Sequence, residues 1–242
     1  MNLNIKARLV AAIAQFKASN DIRYYLNGVY VEPRPQGGVV IVATNGHAIG
    51  AWLDISGEID RPAILRIGAK LQAACHGSDV KRLIIADDRL AVVDDKSTEL
   101  YVQPEPGKWE VPGKFPDYKT VFKPVGGPPS LNAALNPEYI AAIDRALTIG
   151  ASAKYKNVTT RQAIANDAIT FTSTAAAEFV AVVMPVRESE APYPEWLKSL
   201  QIPSDMKRRA AAAPLPVHEP SDAGPRDDDW KAWDKVRSGA PA

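Results

Sequence analysis

One pattern occurs three times along this chain, and it limits what the chain can fold into. A short alternating strand runs into a helix, and three more strands follow, separated by turn residues. In the first copy NLNIK (2–6) alternates, and Leu9, Val10, Ile13 and Phe16 then recur at helical spacing across 7–18. That spacing leaves Arg8, Ala11, Ala12 and Gln15 for the opposite helix face. YYLNGVYVE, VVIVAT and residues 48–55 supply the strands, with Pro35-Gln36-Gly37-Gly38 and Thr44-Asn45-Gly46-His47 as turns. The second copy reads as a strand at 63–67 and a helix at 69–76 stopped by Gly77. Strands at 81–86, 90–93 and 99–102 follow, with Asp87-Asp88 and Asp94-Asp95 turning between them. In the third, a strand at 130–135 precedes Asn136, which caps a helix with Pro137 at its first position. That helix is predicted to bury Tyr139, Ile140, Ile143 and Leu147, and strands at 158–165, 168–172 and 178–186 complete the unit. The repeat is one of pattern, not of identity, with a period of roughly fifty to sixty residues. It predicts an α+β fold of three β-α-β-β-β units, with helices on one face of antiparallel sheets.

Composition narrows the function classes. A chain of 242 residues has room for a sizeable core, and 46% hydrophobic with 24% charged residues is an ordinary globular balance. A formal net charge of +1 is not that of an overtly basic nucleic-acid binder, so any DNA contact must come from local placement of charge. The single cysteine, Cys75, excludes an internal disulfide framework and agrees with a reducing cytosol. The N-terminal apolar run is short and broken by Lys and Arg, and no run is long enough to span a bilayer, so a soluble, cytoplasmic protein is expected. No glycine-rich phosphate loop opens a helix, and no metal ligands are paired. Past Arg187 the pattern stops. SEAPYPEWLKSLQIPSDM has Tyr193, Trp196 and Leu197 to pack with, and from about Lys207 the chain is rich in Pro, Ala and charge and is expected to be disordered.

Three stretches carry a resemblance. DIRYYLNGVYVE followed by VATNGHAIG is similar to the middle domain of the bacterial sliding clamp, the β subunit of the replicative DNA polymerase. FPDY (115–118) resembles the close of that domain, and VVMPVR (182–187) the end of the last one, in the family's order and at roughly its spacing. The resemblance implies a DNA-clamp fold, no enzymatic activity and no cofactor or metal. It implies a ring around duplex DNA that gives a polymerase processivity, and a pocket for a short peptide with a glutamine and a hydrophobic pair. Family chains have six units, and this one has three. Residues 1–122 resemble the complete middle domain, 128–190 only the second half of the last domain, and 191–242 lies outside the resemblance. A shortened, phage- or prophage-encoded version fits that count. Four copies would supply the twelve units of the family's ring.

The family's pocket lies between its middle and last domains. Carried over by motif, its lining is Leu26 from YYLNG, and Thr44, Gly46, His47 and Ile49 from ATNGHAI. Pro116 and Val121 come from FPDYKTV, and Asn136 and Tyr139 from NPEY. Val182, Val183, Met184, Pro185, Val186 and Arg187 come from the closing strand. Ala48 stands where the family often has Arg, which bears on the motif accepted. Expected partners are polymerase and clamp-loader subunits through such a motif, weakly held duplex DNA without sequence preference, and further copies of the chain, with no membrane. For DNA the candidates are Lys6, Arg8, Lys17, Arg23, Lys70, Lys154 and Lys156. Each reading has a plainer rival. VAVVMPV by itself is a buried strand, His47 a turn residue, Tyr139 a core residue, and any single lysine a solvated one. Cys75-His76, at the end of a short helix, reads as structural rather than nucleophilic. An interaction protein that keeps the pocket without the ring is the competing function.

Overall fold

The computed structural model describes residues 1–77, 81–122, 134–151, 153, 156–163 and 167–186. Arg187, Lys154, most of the strand expected at 130–135 and the tail from 191 therefore lie outside the described residues. Among those described are twelve strands and three α-helices. The first repeat comprises β1 (Leu3–Lys6), α1 (Ala7–Ile13), β2 (Val29–Pro33), β3 (Val39–Thr44), β4 (Ala48–Asp54) and a short β5 (Glu58–Ile59). The second comprises β6 (Ala63–Leu65), α2 (Ala69–Ala74), β7 (Arg82–Ala86), β8 (Arg89–Val93) and β9 (Glu99–Val102). The third comprises α3 (Pro137–Gly150), β10 (Val158–Gln162), β11 (Ile169–Ser173) and β12 (Ala176–Val183). The α+β expectation with antiparallel sheets holds.

The first two repeats interlock by exchanging their leading strands. A five-stranded sheet has the order β5-β1-β7-β8-β9, so β1 lies beside the second repeat's meander. A seven-stranded sheet has the order β10-β11-β12-β4-β3-β2-β6, so β6 lies beside the first repeat's meander. The registers are Ile5↔Leu83 for one exchange and Tyr30↔Ile64 for the other. The third repeat joins through β12, which pairs with β4 from Phe179↔Trp52 to Val183↔Ala48.

Local chemistry explains the meanders. Gly37 and Gly38 take positive φ (89° and 76°) in the β2–β3 turn, a conformation that costs other residues strain. Asp87 and Asp88, at φ 46° and 59°, form the two-residue turn whose twist matches the flanking strands. The first strand of the leading hairpin is shorter than predicted, because residues Tyr24–Asn27 form a 3-10 turn and extended structure begins at Val29. Asn27 explains this: its Oδ1 accepts from the Asp21 N–H (3.0 Å) and its Nδ2 donates to the Asp21 carbonyl (2.9 Å), closing a loop there.

The helices depart from expectation in an instructive way. Leu9, Val10 and Ile13 are buried as predicted, but so are Ala11 and Ala12, expected on the outer face. Gln15 lies on that same face, and its Oε1 accepts from Nε of Arg145 (3.1 Å), so α3 covers it. α1 is thus wrapped on all sides, and its alanines let a second helix approach closely. Asn136 caps α3 as predicted, its Oδ1 accepting from the Glu138 N–H (2.9 Å). The buried stripe of α3 is Ala142, Ile143, Ala146, Leu147 and Gly150, while Tyr139 is half-buried and Ile140 is 38% exposed, contrary to the predicted stripe. The small residues win the inner face because the partner on that side is another helix and the Trp52 ring. A Cβ on Gly150 would stand 2.3 Å from that ring.

Two apolar clusters result. The larger fills the helix side of both sheets, from Leu3 and Phe16 to Phe179 and Val183. The smaller lies on the opposite face of the seven-stranded sheet, where Val42, Ile49, Ala51, Ile64 and Val182 are covered by Val111, Phe115 and Tyr118. Among the described residues, no helix is long and apolar enough to cross a membrane.

A candidate peptide-binding groove at the β4–β12 seam

The β3–β4 turn is fixed at every step. The Thr44 hydroxyl donates to the Ala48 carbonyl (2.9 Å) and accepts from the Gly46 N–H (3.0 Å). Asn45 Oδ1 accepts from the N–H groups of His47 (2.9 Å) and Ala48 (2.8 Å), which pins the tip. Gly46 sits at φ +92°, and the Arg23 guanidinium lies 3.1 Å from where its Cβ would be. The Met184 N–H donates to the His47 carbonyl (2.8 Å), extending the β4–β12 ladder past the end of the strand.

Around this seam is a groove of about 280 Å³. Leu26 and Tyr25 enter from the 3-10 turn, Thr44, Gly46, His47, Ala48 and Ile49 from the β3–β4 turn, and Val182 and Met184 from the closing strand. Pro116, Asp117, Tyr118 and Val121 form the facing wall, and Arg23 stands at the rim. Leu26, Ile49 and Val182 are buried in the floor and Tyr118 is buried in the facing wall, while Met184 (48% exposed) and Val121 (41%) stand open at the edge. Mostly apolar walls with a few oriented polar groups suit extended peptide side chains.

The facing wall is anchored from behind. The Glu32 carboxylate on β2 accepts from the hydroxyl of Tyr118 (2.5 Å), the hydroxyl of Tyr30 (3.1 Å) and Nζ of Lys119 (2.8 Å). Phe115 stacks on Tyr30 with ring centres 4.7 Å apart. Burial alone would raise the Glu32 carboxyl, but the hydrogen bonds from Lys119, Tyr118 and Tyr30 outweigh it and hold it below the ordinary value. Burial, Glu32's charge and the hydrogen bond push Tyr30 up to about 12, and burial followed by the Glu32 hydrogen bond raises Tyr118 as well.

Of the pocket residues carried over by motif, Leu26, Thr44, Gly46, His47, Ile49, Pro116, Val121, Val182 and Met184 line this one groove. The rest fall elsewhere for clear reasons. Successive strand residues face opposite sides, so Val183, between Val182 and Met184, is buried in the helix-side core. The Val186 N–H donates to the Ala134 carbonyl (2.9 Å), and Pro185 precedes it outside the groove lining. Asn136 is occupied in capping α3. Tyr139 stacks on His47, with centres 6.4 Å apart, and lines a neighbouring concavity with Gln15, Asn45 and Arg145. Sequence reasoning passed over Tyr25, Asp117 and Tyr118 as lining, and singled out Ala48 only as a departure from the family, although all four lie inside or beside the quoted motifs.

The cations proposed for DNA are spread out. Lys6 and Arg8 line one concavity beside Trp52 and Glu178, and Lys70 lines another with Arg66 and Lys108. Lys156 Nζ donates to the Thr148 hydroxyl (2.7 Å) beyond α3. Burial lowers the Lys17 ammonium. Arg23 forms a two-pronged ion pair with Asp21 (2.7 and 3.0 Å), which holds that carboxyl down to about 2. Cys75 is fully enclosed and its thiol is pushed up to about 12, mainly by burial, so no thiolate is available there near neutral pH. Among the described residues, no group of three or more His, Cys, Asp or Glu is placed to hold a metal ion.

No protein-family model matches the sequence, and no curated protein matches it. Solved structures do. The DNA polymerase III subunit beta from Pseudomonas aeruginosa superposes with a TM-score of 0.56 at 19% identity, over 77% of this chain and 66% of that one. The sliding clamp of the same organism bound to griselimycin gives a TM-score of 0.54 at 20% identity, over 78% of this chain and 66% of the clamp. The beta subunit from Thermotoga maritima gives 0.53 at 12% identity, covering 82% and 67%. The chain thus spans about two thirds of the length of these clamps. At such low identity the likeness speaks for architecture: this chain has the fold of bacterial sliding clamps.

Proposed function

We propose that this protein is a non-enzymatic, sliding-clamp-like processivity factor of DNA replication. Its groove captures short peptide segments of polymerase and clamp-loader subunits. In this reading residues 1–122 act as one clamp-like domain, 128–190 as half of another, and several copies, four by unit count, surround duplex DNA. The observation that carries the proposal is convergence: the 3-10 turn, the β3–β4 turn, the 115–122 segment and the closing strand all meet in one apolar groove. A preformed, mostly apolar recess with a few convergent polar groups is the kind of surface that takes a ligand.

Fluorescence polarisation with a labelled peptide carrying a glutamine and a hydrophobic pair tests capture. Met184→Glu, at a half-exposed rim position, is expected to leave the melting curve unchanged and weaken binding at least about tenfold, or about 1.4 kcal/mol. Equal affinity of variant and wild type would remove the groove from the proposal.

A second reading, an adaptor or decoy that holds clamp partners without encircling DNA, is favoured by the dispersal of the cations. Arg23 is committed to Asp21, and Lys6 with Arg8, Lys70 and Lys156 lie in separate places. Synthesis by the cognate polymerase on a primed circle separates the two: stimulation supports the processivity factor, inhibition the decoy.

A further inference from the structure

The β3–β4 turn contributes to two recesses. One is the groove described above, and the other is a hollow of about 310 Å³ between the turn, the end of the first helical segment and α3. The two adjoin. Ala48 lines both, so only a methyl group stands at their shared wall. The His47 ring of the groove stacks on the Tyr139 ring of the hollow, with planes 9° apart. A peptide that leaves this end of the groove therefore runs onto α3.

The helix presents a patterned stripe there. Glu138, Ala141, Ala142 and Arg145 follow one another at i, i+3, i+4 and i+7, and all four line the hollow. The alanines keep the middle of the stripe low, and a charge stands at each end. With a rise of about 1.5 Å per residue, the two charges are about 10 Å apart along the axis, or about three residues of extended chain. Arg145 is held in place before any ligand arrives. Its Nε donates to Gln15 Oε1 (3.1 Å), and Gln15 Nε2 donates to the Ala11 carbonyl (3.2 Å), so both ends of that amide are committed. Among the described residues, neither Nη group of Arg145 has a partner, and neither does the Glu138 carboxylate. Asn45, whose Oδ1 is taken up by the turn, has only amide hydrogens left to offer.

We propose that this hollow reads the flank of the peptide that fills the groove. The flank it fits is extended, with a basic side chain opposite Glu138 and an acidic one about three residues further on, opposite Arg145. A guanidinium anchored through Nε leaves its terminal nitrogens as a fork for a carboxylate, and the Asn45 amide suits a peptide carbonyl. A nucleic-acid phosphate would also suit the guanidinium. Glu138 on the same stripe repels a continuous polyanion, however, whereas a flank of mixed sign satisfies both ends. The inference rests on the peptide capture proposed above and adds what sets the choice among partners: the groove takes the apolar residues, and the stripe on α3 takes the order of charges beside them.

Fluorescence polarisation of the full chain with three labelled peptides tests it. One carries the glutamine and hydrophobic pair alone, and two extend it, at one end or the other, by a Lys and a Glu three residues apart. Only one extension should help, because the hollow shares Ala48 alone with the groove. That extension should tighten binding about fivefold at low salt, and the gain should shrink in about 0.5 M salt. Arg145→Glu should remove the gain while leaving the melting curve and the short peptide's affinity unchanged, and a flank with Lys in place of its Glu should restore it. Met184→Glu should weaken all three peptides. If the short peptide binds and neither extension changes its affinity, or if Arg145→Glu leaves the gain intact, the flank site is overturned and the groove stands. Binding of none of the three to the wild type overturns both. Loss of duplex-DNA retention in Arg145→Glu, with peptide affinities unchanged, would assign the hollow to DNA instead.

Discussion

Glu32 never touches the groove, yet it holds one of the groove's walls. Besides the hydroxyl of its β2 neighbour Tyr30, it gathers the Tyr118 hydroxyl and the Lys119 ammonium from the segment that carries Pro116, Asp117 and Val121. Glu32→Ala leaves the Tyr118 hydroxyl half-buried without that acceptor, at an expected cost of about 1 to 3 kcal/mol in urea unfolding. Peptide affinity should fall with it, and Glu32→Gln, which can still accept, should recover part of both. The sign of the acid response follows from the direction of the shift. The folded-state carboxyl lies below its unfolded value, so its contribution is complete above the ordinary carboxylate pKa and fades as pH falls through the folded one. Peptide affinity measured from neutral pH downward should therefore drop at acid pH in the wild type, and drop less in Glu32→Gln. At this scale the motifs named most of the floor and rim, because side-chain chemistry is local. They could not say that Val183 turns away from Val182, since that depends on which face of β12 the sheet presents, nor that Tyr118 serves the groove and Glu32 together.

Among the elements, the hairpins were the most legible. Gly37-Gly38, Asn45-Gly46 and Asp87-Asp88 impose their turns within four residues, whatever the surroundings. Helix burial was half legible. The apolar stripe of α1 was plain, but its alanine face looks solvent-exposed until a second helix is known to lie there. The same gap explains Ile140: periodicity finds an apolar position on α3, but only the fold shows that the buried stripe runs through Ala142, Ile143, Ala146 and Leu147 and leaves Ile140 exposed. Strand exchange was not legible, because β1 and β7 lie some eighty positions apart and no local signal records which sheet a leading strand joins. The tight approach of α1 and α3 makes a direct test. Ala12→Leu adds methylenes where no space remains and should destabilise the protein by about 1 to 3 kcal/mol in chemical denaturation, whereas an equally helix-favouring change at exposed Lys70 should be close to neutral.

For the whole molecule, the join between the third repeat and the rest decides how the groove behaves. It is a continuous run of main-chain bonds from Phe179↔Trp52 to Met184 and His47, and it forms the groove's own spine. Parting that spine would mean tearing a sheet, and the facing wall is tied to β2 through Glu32, so an incoming peptide meets a socket already cut to size. Association should then be a single fast step, with affinity differences among ligands appearing in how long they stay. Stopped-flow traces should be single-exponential, with rates that rise linearly with peptide concentration. A rate that levels off would mean that the spine opens first.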